Sequence, residues 1–325
     1  LIARMERFLD VSPELIAHDL HPEYLSTLYA RSRSGVAAIG VQHHHAHVAS
    51  AMAEHGLTGP VLGLAFDGTG YGSDGHAWGG EFLLADFGDF VRLATFRPLA
   101  LAGGDTAIRK VWRIALAMLD DAFGAAAPLD RFPLFAAIAP RDIAIVRRMI
   151  AHHFNAPLAH GVGRYFDAFG ALVLGVAQAN YEGQVAMRLE WAADSAELGH
   201  YRFDIDRNSS PWQVDLRSAV REAVHDIVRG ASAGVVAARF HNTLVHAAAE
   251  VVRAASASVG RVPIVLTGGC FQNAHLAEGI AAALARNFEV YTHRSVPPGD
   301  GGIALGQAMV ADARTRAREG GSVCA

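Results

Sequence analysis

Two short runs, VLGLAFDGTG at 61–70 and VPIVLTGGC at 262–270, constrain this chain more than any other feature. Each is continuously apolar and then stops at a glycine turn. The first stops at Asp67-Gly68-Thr69-Gly70 and the second at Thr267-Gly268-Gly269. Runs this short and this uniformly apolar are what strands buried on both faces look like. Strands of that kind need helices to cover them, and the rest of the chain supplies helical periodicity. It appears at 106–123, 140–153, 165–178, 218–230 and 233–257, in segments often rich in Ala. A strand over 36–41 leads into a helix over 43–55, and 78–97 has the pattern of a β-meander. The second glycine turn leads into a helix over 271–286. Residues 290–302 give a strand and a Pro/Gly loop, and 303–317 a closing helix. The alternation predicts an α/β fold with sheets covered by helices.

At 325 residues and 51% hydrophobic, the chain can bury a large core and is expected to divide in two. Asn155, Pro157 and Gly161-Val162-Gly163 interrupt the helices and place the division there. The expected lobes are 1–160 and 161–325, with a ligand cleft between them. The net charge of -4 offers no basic footprint, so nucleic acid is not an expected partner. No charge-free apolar stretch is long enough for a membrane span, and residues 1–10 lack the pattern of a signal peptide. Two cysteines, Cys270 and Cys324, form neither a CxxC pair nor a disulfide framework. The expected compartment is the reducing cytoplasm.

Histidine is the unusual residue: there are 17, and four lie in QHHHAHVA at 42–49. On a helix, His43 and His47 share one face and can offer two imidazoles to one metal ion. The general-base Glu of an HExxH site is absent. His44 and His45 point elsewhere, and the alternative for the whole cluster is rings bonded to backbone or water. A metal site needs further ligands, and the best candidates are Asp67, at the end of an apolar strand, and Asp300, in a Gly-flanked loop. Mixed imidazole and carboxylate ligation suits iron, zinc or manganese. Either Asp alone could instead form an Asx-turn.

The glycine segments Asp67-Gly68-Thr69-Gly70-Tyr71-Gly72 and Thr267-Gly268-Gly269 would let backbone N–H groups approach phosphate oxygens. A helix start after 269 would favour anions. Neither is a Walker A loop, and no GxGxxG joins a strand to a helix. Two such segments at corresponding strand ends suggest a nucleotide held from both sides. Asp167 and Glu182, acidic residues in apolar surroundings, could accept hydrogen bonds from ribose hydroxyls, or could cap helices or pair with Arg164 or Arg188. Cys270 is read as a packing residue.

The ordered set QHHHAH, AFDGTGYGSDGHAWGGEF, GRYFDA, YEGQVAM, TGGCFQN and VPPGDGGIALGQA resembles the C-terminal carbamoyl-transfer region of the HypF family. That family serves nickel–iron hydrogenase maturation. The resemblance runs from AHDLHPEYLSTLYA at 17–30 to the final helix. It implies an actin/Hsp70/sugar-kinase type of fold, two α/β lobes around a nucleotide cleft. It implies a divalent metal, iron or zinc, on His43, His47, Asp67 and Asp300. It places phosphate and adenosine contacts at Gly68, Thr69, Gly70, Tyr71, Asp167, Gly183, Gly268, Gly269 and Asn273, with ATP or carbamoyl-adenylate as the ligand. The implied reaction moves a carbamoyl group from carbamoyl-adenylate to the C-terminal cysteine thiol of a HypE-type partner, on the route to the hydrogenase cyanide ligand.

No acylphosphatase-like, zinc-finger or YrdC-like segment is present, so the chain is expected to be an isolated portion that does not make carbamoyl-adenylate from carbamoyl phosphate. Two other readings are a non-catalytic ATP-binding docking module and a small-molecule O-carbamoyltransferase. Local departures from the family pattern stand at Ala159-His160-Gly161-Val162-Gly163, at Gly299 and at Val111. The first removes hydroxyls from the expected cleft.

Overall fold

A computed structural model describes residues 1–321; Cys324 lies outside the described residues. Strands β1 (Leu15–Asp19) and β2 (Ala37–Val41) pair in parallel as a small sheet of their own. The large sheet begins with β3 (Val61–Tyr71), β4 (Ala77–Ala85) and β5 (Phe90–Phe96), an antiparallel meander. Short β6 (Leu99–Ala100) and β7 (Leu158–Ala159) attach beside β4. Then come β8 (Asp204–Asp206), β9 (Trp212–Asp215), β10 (Ile264–Thr267) and β11 (Val290–Thr292). The order is β11-β10-β3-β4-β5-β9-β8, and β10 runs parallel to both β3 and β11.

The apolar run at 61–66 is explained by what covers β3. Leu62, Leu64 and Phe66 join the main core, while Val61 and Ala65 pack on the opposite face with Val48, Ala51 and Met52. The latter three belong to the helix His43–His55, which starts and stops where the sequence predicts. Its first turn is capped by the Gln42 side chain, which accepts from His45 N–H, and Gly56 ends it in the left-handed region at φ 65. At Gly63 an added Cβ would lie 2.3 Å from Val48 Cγ2, so the absent side chain is what lets this helix sit on β3.

The closing helix Ile303–Gly321 packs on the histidine helix. At their contact a Cβ on Gly306 would meet Ala46 O at 1.8 Å. Thus β10, β11 and the closing helix, all from beyond residue 160, build onto β3 and the histidine helix.

Three expectations change. Strand β3 does not stop at Asp67 but continues to Tyr71, with a bulge between Phe66 and Gly70. The segment at 106–123 is two helices, Asp105–Arg109 and Trp112–Phe123. After β10 the chain makes a 3-10 turn, Gly269–Gln272, and the α-helix begins only at Ala274. Among the described residues, no helix is long and apolar enough to cross a membrane.

Candidate metal centre and adjoining cleft

The helix His43–His55 and the bulge of β3 bring His43, His47 and Asp67 together, and the short turn Asp300–Gly302 adds Asp300. One ligand-type atom from each of the four lies within 4.8 Å of the others. Asp67 Oδ2 is 3.0 Å from His47 Nε2 and 3.7 Å from His43 Nε2. Asp300 Oδ1 is 3.6 Å from both nitrogens. Ligand bonds of about 2.0–2.2 Å put neighbouring donors roughly 3.0–3.6 Å apart, so these spacings fit one cation. His43 Nε2 is buried without a hydrogen-bond partner, as a nitrogen reserved for a ligand would be.

The other atoms of these groups are engaged in ways that aim them. Asp67 Oδ1 accepts from Gly68 N–H at 2.7 Å, which leaves Oδ2 for the cluster. His43 Nδ1 lies 2.8 Å from Asp19 Oδ2, an arrangement that orients Nε2 inward. Asp19 belongs to β1 and also accepts from His21 N–H. Sequence reasoning missed Asp19, because a strand 24 positions upstream of His43 carries no local sign of the pairing. Burial disfavours charge on His43, yet the hydrogen bond to Asp19 and the nearby Asp67 carboxylate raise its pKa to about 10. Burial would raise Asp67, but the same two histidines hold it well below the usual carboxylate range. These carboxylates draw positive charge to one point.

His44 and His45 stand apart from this cluster. His44 is fully buried, and burial together with the charge on His43 pushes its pKa well down. His45 Nε2 lies 2.6 Å from Asp86 O.

Asp300 depends on a tether. Glu54, near the end of the histidine helix, accepts backbone N–H bonds from Arg294 at 2.9 Å and Val296 at 3.0 Å, another from Ser295, and meets His293 Nδ1 at 2.8 Å. Burial works against the carboxylate, but these donors lower its pKa to about 2. The loop leading to Asp300 is therefore fastened to the helix that carries the two histidines.

A cleft of about 660 Å³ opens beside the cluster. Asp67 and Asp300 sit in its wall together with the expected Gly68, Thr69, Asp167, Glu182, Gly183, Gly269 and Asn273. Gly70, Tyr71 and Gly268 fall outside its walls, and each has a packing or surface place instead. A Cβ at Gly70 would strike His44 and His43 at 2.6 and 2.8 Å, and one at Gly268 would meet Phe66 O at 2.3 Å. Tyr71 is partly exposed and meets His21 edge-on at 5.3 Å.

The helix start expected to bind anions is also occupied: Ala274 N–H bonds Glu190 Oε1 and Leu276 N–H bonds Asn273 Oδ1. Asn273 Nδ2 meets His241 Nε2 at 2.9 Å, so both ends of that side chain are held.

The cleft wall is acidic. Asp67, Asp167, Glu182, Glu190 and Asp300 face it, and Arg164 is its one cationic side chain among the described residues. Arg164 Nη2 lies 3.2 Å from Asp167 Oδ2, while its Nε and Nη1 are buried without partners. Despite that ion pair, burial and the nearby Glu182 raise the Asp167 pKa to about 6, because desolvation outweighs the guanidinium. Cys270 also lines the cleft, and its thiol is pushed well up, first by burial and then by Asp67, so it stays neutral. A neutral buried thiol is a poor nucleophile.

Residues 63–307 match the family described as "Carbamoyltransferase, Kae1-like Domain, second subdomain", and residues 1–54 match the "HypF Kae1-like domain". Among curated relatives, "Carbamoyltransferase HypF2" of Cupriavidus necator is 41% identical over 95% of this chain and 41% of its own length. "Carbamoyltransferase HypF" of Rhodobacter capsulatus is 40% identical over 94% of this chain and 40% of its own. A further Cupriavidus necator protein, "Carbamoyltransferase HypF homolog", is 38% identical over 92% of this chain and 77% of its own. Of solved structures, full-length HypF in its phosphate- and nucleotide-bound form superimposes with a TM-score of 0.90 and 36% identity. The superposition covers 96% of this chain and 40% of that one. HypF of T. kodakarensis gives 0.86 and 29%, over 97% and 42%. The chain thus spans about two fifths of most of these relatives.

Proposed function

This chain belongs to the HypF carbamoyltransferase family, and we propose that it transfers a carbamoyl group from carbamoyl-adenylate to the C-terminal cysteine thiol of a HypE-type partner. The product would feed synthesis of the hydrogenase cyanide ligand, in the cytoplasm. The observation that carries this reading is the convergence of His43, His47, Asp67 and Asp300 at one end of a cleft that both glycine segments line. In this reading the lobes 1–160 and 161–325 follow the actin/Hsp70/sugar-kinase plan, and residues of both line the cleft. The HypF structure solved with nucleotide supports a nucleotide as the ligand.

A divalent ion, iron or zinc, on those four side chains would supply a Lewis acid for the carbamoyl oxygen. The chain's own groups do the rest. Asp19 and Gly68 N–H aim the ligands. Asp167 and Glu182 accept the ribose hydroxyls, and Arg164 offsets the phosphate charge in an otherwise acidic wall. AMP is a good leaving group, so no side chain need protonate it, and Cys270 takes no part.

The test uses the chain with synthetic carbamoyl-adenylate and a HypE-type acceptor. Wild type should hold one equivalent of metal and transfer the carbamoyl group to the thiol. The variants His47→Ala and Asp300→Ala should lose metal and transfer together. Unchanged metal content in both variants would remove the proposed centre. Metal and nucleotide binding without transfer would leave an ATP-binding docking module instead.

A further inference from the structure

We propose that Met187, Glu190 and Trp191 form the subsite for the base of the nucleotide and select a purine that carries an exocyclic amino group. The proposal rests on the nucleotide reading of the cleft given above. The helix Gln184–Ala192 follows directly on Glu182-Gly183, with Gly183 as its cap at φ 76. Met187 and Trp191 are four residues apart on it and so share a face. Both line the cleft. Trp191 is 75% exposed and Met187 36%, whereas Trp78 and Trp112 are 3% and 5% exposed. A wide-open indole in the wall of a polar cleft offers a flat apolar face with nothing on it, which is the form a base-stacking platform takes.

The groups taken up by the reacting end and the ribose leave that apolar face for the base. Asp67 and Asp300 mark the metal end. Next comes Gly68, where an added Cβ would lie 2.8 Å from Arg164 Nη2 and 3.5 Å from Glu182 Oε1. Met187 and Trp191, on the helix that follows Glu182-Gly183, line the same cleft. A nucleotide with its reacting end at the metal and its ribose at Asp167 and Glu182 therefore lays its base on that face.

Glu190 lies between Met187 and Trp191 in sequence and lines the same cleft. Its Oε1 accepts Ala274 N–H at 2.8 Å, which fixes the carboxylate, and among the described residues no hydrogen bond engages Oε2. A fixed carboxylate oxygen accepts from an amino group and repels a carbonyl oxygen, so it discriminates adenine from hypoxanthine.

Calorimetry and tryptophan fluorescence with ATP, ITP and tripolyphosphate test this on the full chain. Wild type should bind ATP more tightly than ITP, and ATP should quench its fluorescence. Trp191→Ala should weaken ATP about tenfold, abolish the quench and leave tripolyphosphate affinity unchanged. Trp191→Phe should restore most of the affinity. Glu190→Gln keeps an acceptor for Ala274 and should narrow the preference for ATP over ITP. Equal ATP affinity in wild type and Trp191→Ala would overturn the platform while leaving the nucleotide reading intact. Equal affinity of wild type for ATP and ITP would overturn the role of Glu190. Failure of wild type to bind ATP at all would overturn both the subsite and the reading beneath it.

Discussion

Asp19 Oδ2 lies 2.8 Å from His43 Nδ1, and the two side chains are 7% and 3% exposed. The carboxylate fixes which imidazole nitrogen remains for Asp67, Asp300 and a cation. Partners of this kind typically change metal affinity by about 10- to 100-fold when removed. Asp19→Asn should therefore weaken metal binding by about tenfold while leaving the fold intact. A chelator competition measures it, and an affinity equal to wild type would sink the assignment.

Nucleotide affinity should depend on pH through Asp167. Its folded pKa is about 6 against an ordinary value of 3.8. The protonated form is favoured by burial, so this group's contribution to stability is fully present below 3.8 and is lost as pH rises through 6. Ligand binding has the opposite sign, because a ribose diol donates to the ionised form. ATP affinity should be level above pH 7 and fall as pH drops through about 6, and Asp167→Asn should be weaker and lack that slope. A wild-type affinity that stays flat down to pH 5 would rule this role out.

Glu54 should stabilise the fold over a different window. Its pKa falls from 4.5 to about 2 because the N–H groups of 294–296 and His293 outweigh its burial. That contribution is present above 4.5 and disappears as pH falls through about 2. The Tm difference between wild type and Glu54→Gln should be largest above pH 4.5 and vanish toward pH 2. A difference that persists unchanged at pH 2 would refute the tether.

Gly306 is the tightest point between the closing helix and the histidine helix. A Cβ there would lie 1.8 Å from Ala46 O and 2.8 Å from Ser50 N. Overpacking of this kind costs about 1–3 kcal/mol. Gly306→Val should lower the denaturation midpoint and weaken metal binding as well, since Asp300 lies in the turn that leads directly into that helix. A variant with the wild-type midpoint would contradict the contact.

Much of this was legible in the sequence because it is local. The histidine helix is bounded by Gln42 and Gly56, and the i,i+4 spacing of His43 and His47 follows from helix geometry alone. Strand β3 is legible from its uninterrupted apolar run. What stayed hidden is non-local. β1 pairs only with β2, and its sequence, LIAHD, carries no alternation that would mark it. Gly70 and Gly268 carry the glycine signature of a phosphate loop, yet the side chains and backbone pressed against them account for the missing Cβ. Trp191 escaped because an exposed tryptophan and a buried one look alike in sequence.

The tether from Glu54 to 294–296 and the packing of Gly306 on Ala46 have a consequence for biogenesis. During synthesis His43, His47 and Asp67 emerge early, but the fourth ligand and the helix beside it emerge more than 230 residues later. A nascent chain would present only three of the four groups, and the complete tetrad would form only after the helix Ile303–Gly321 has docked on the histidine helix.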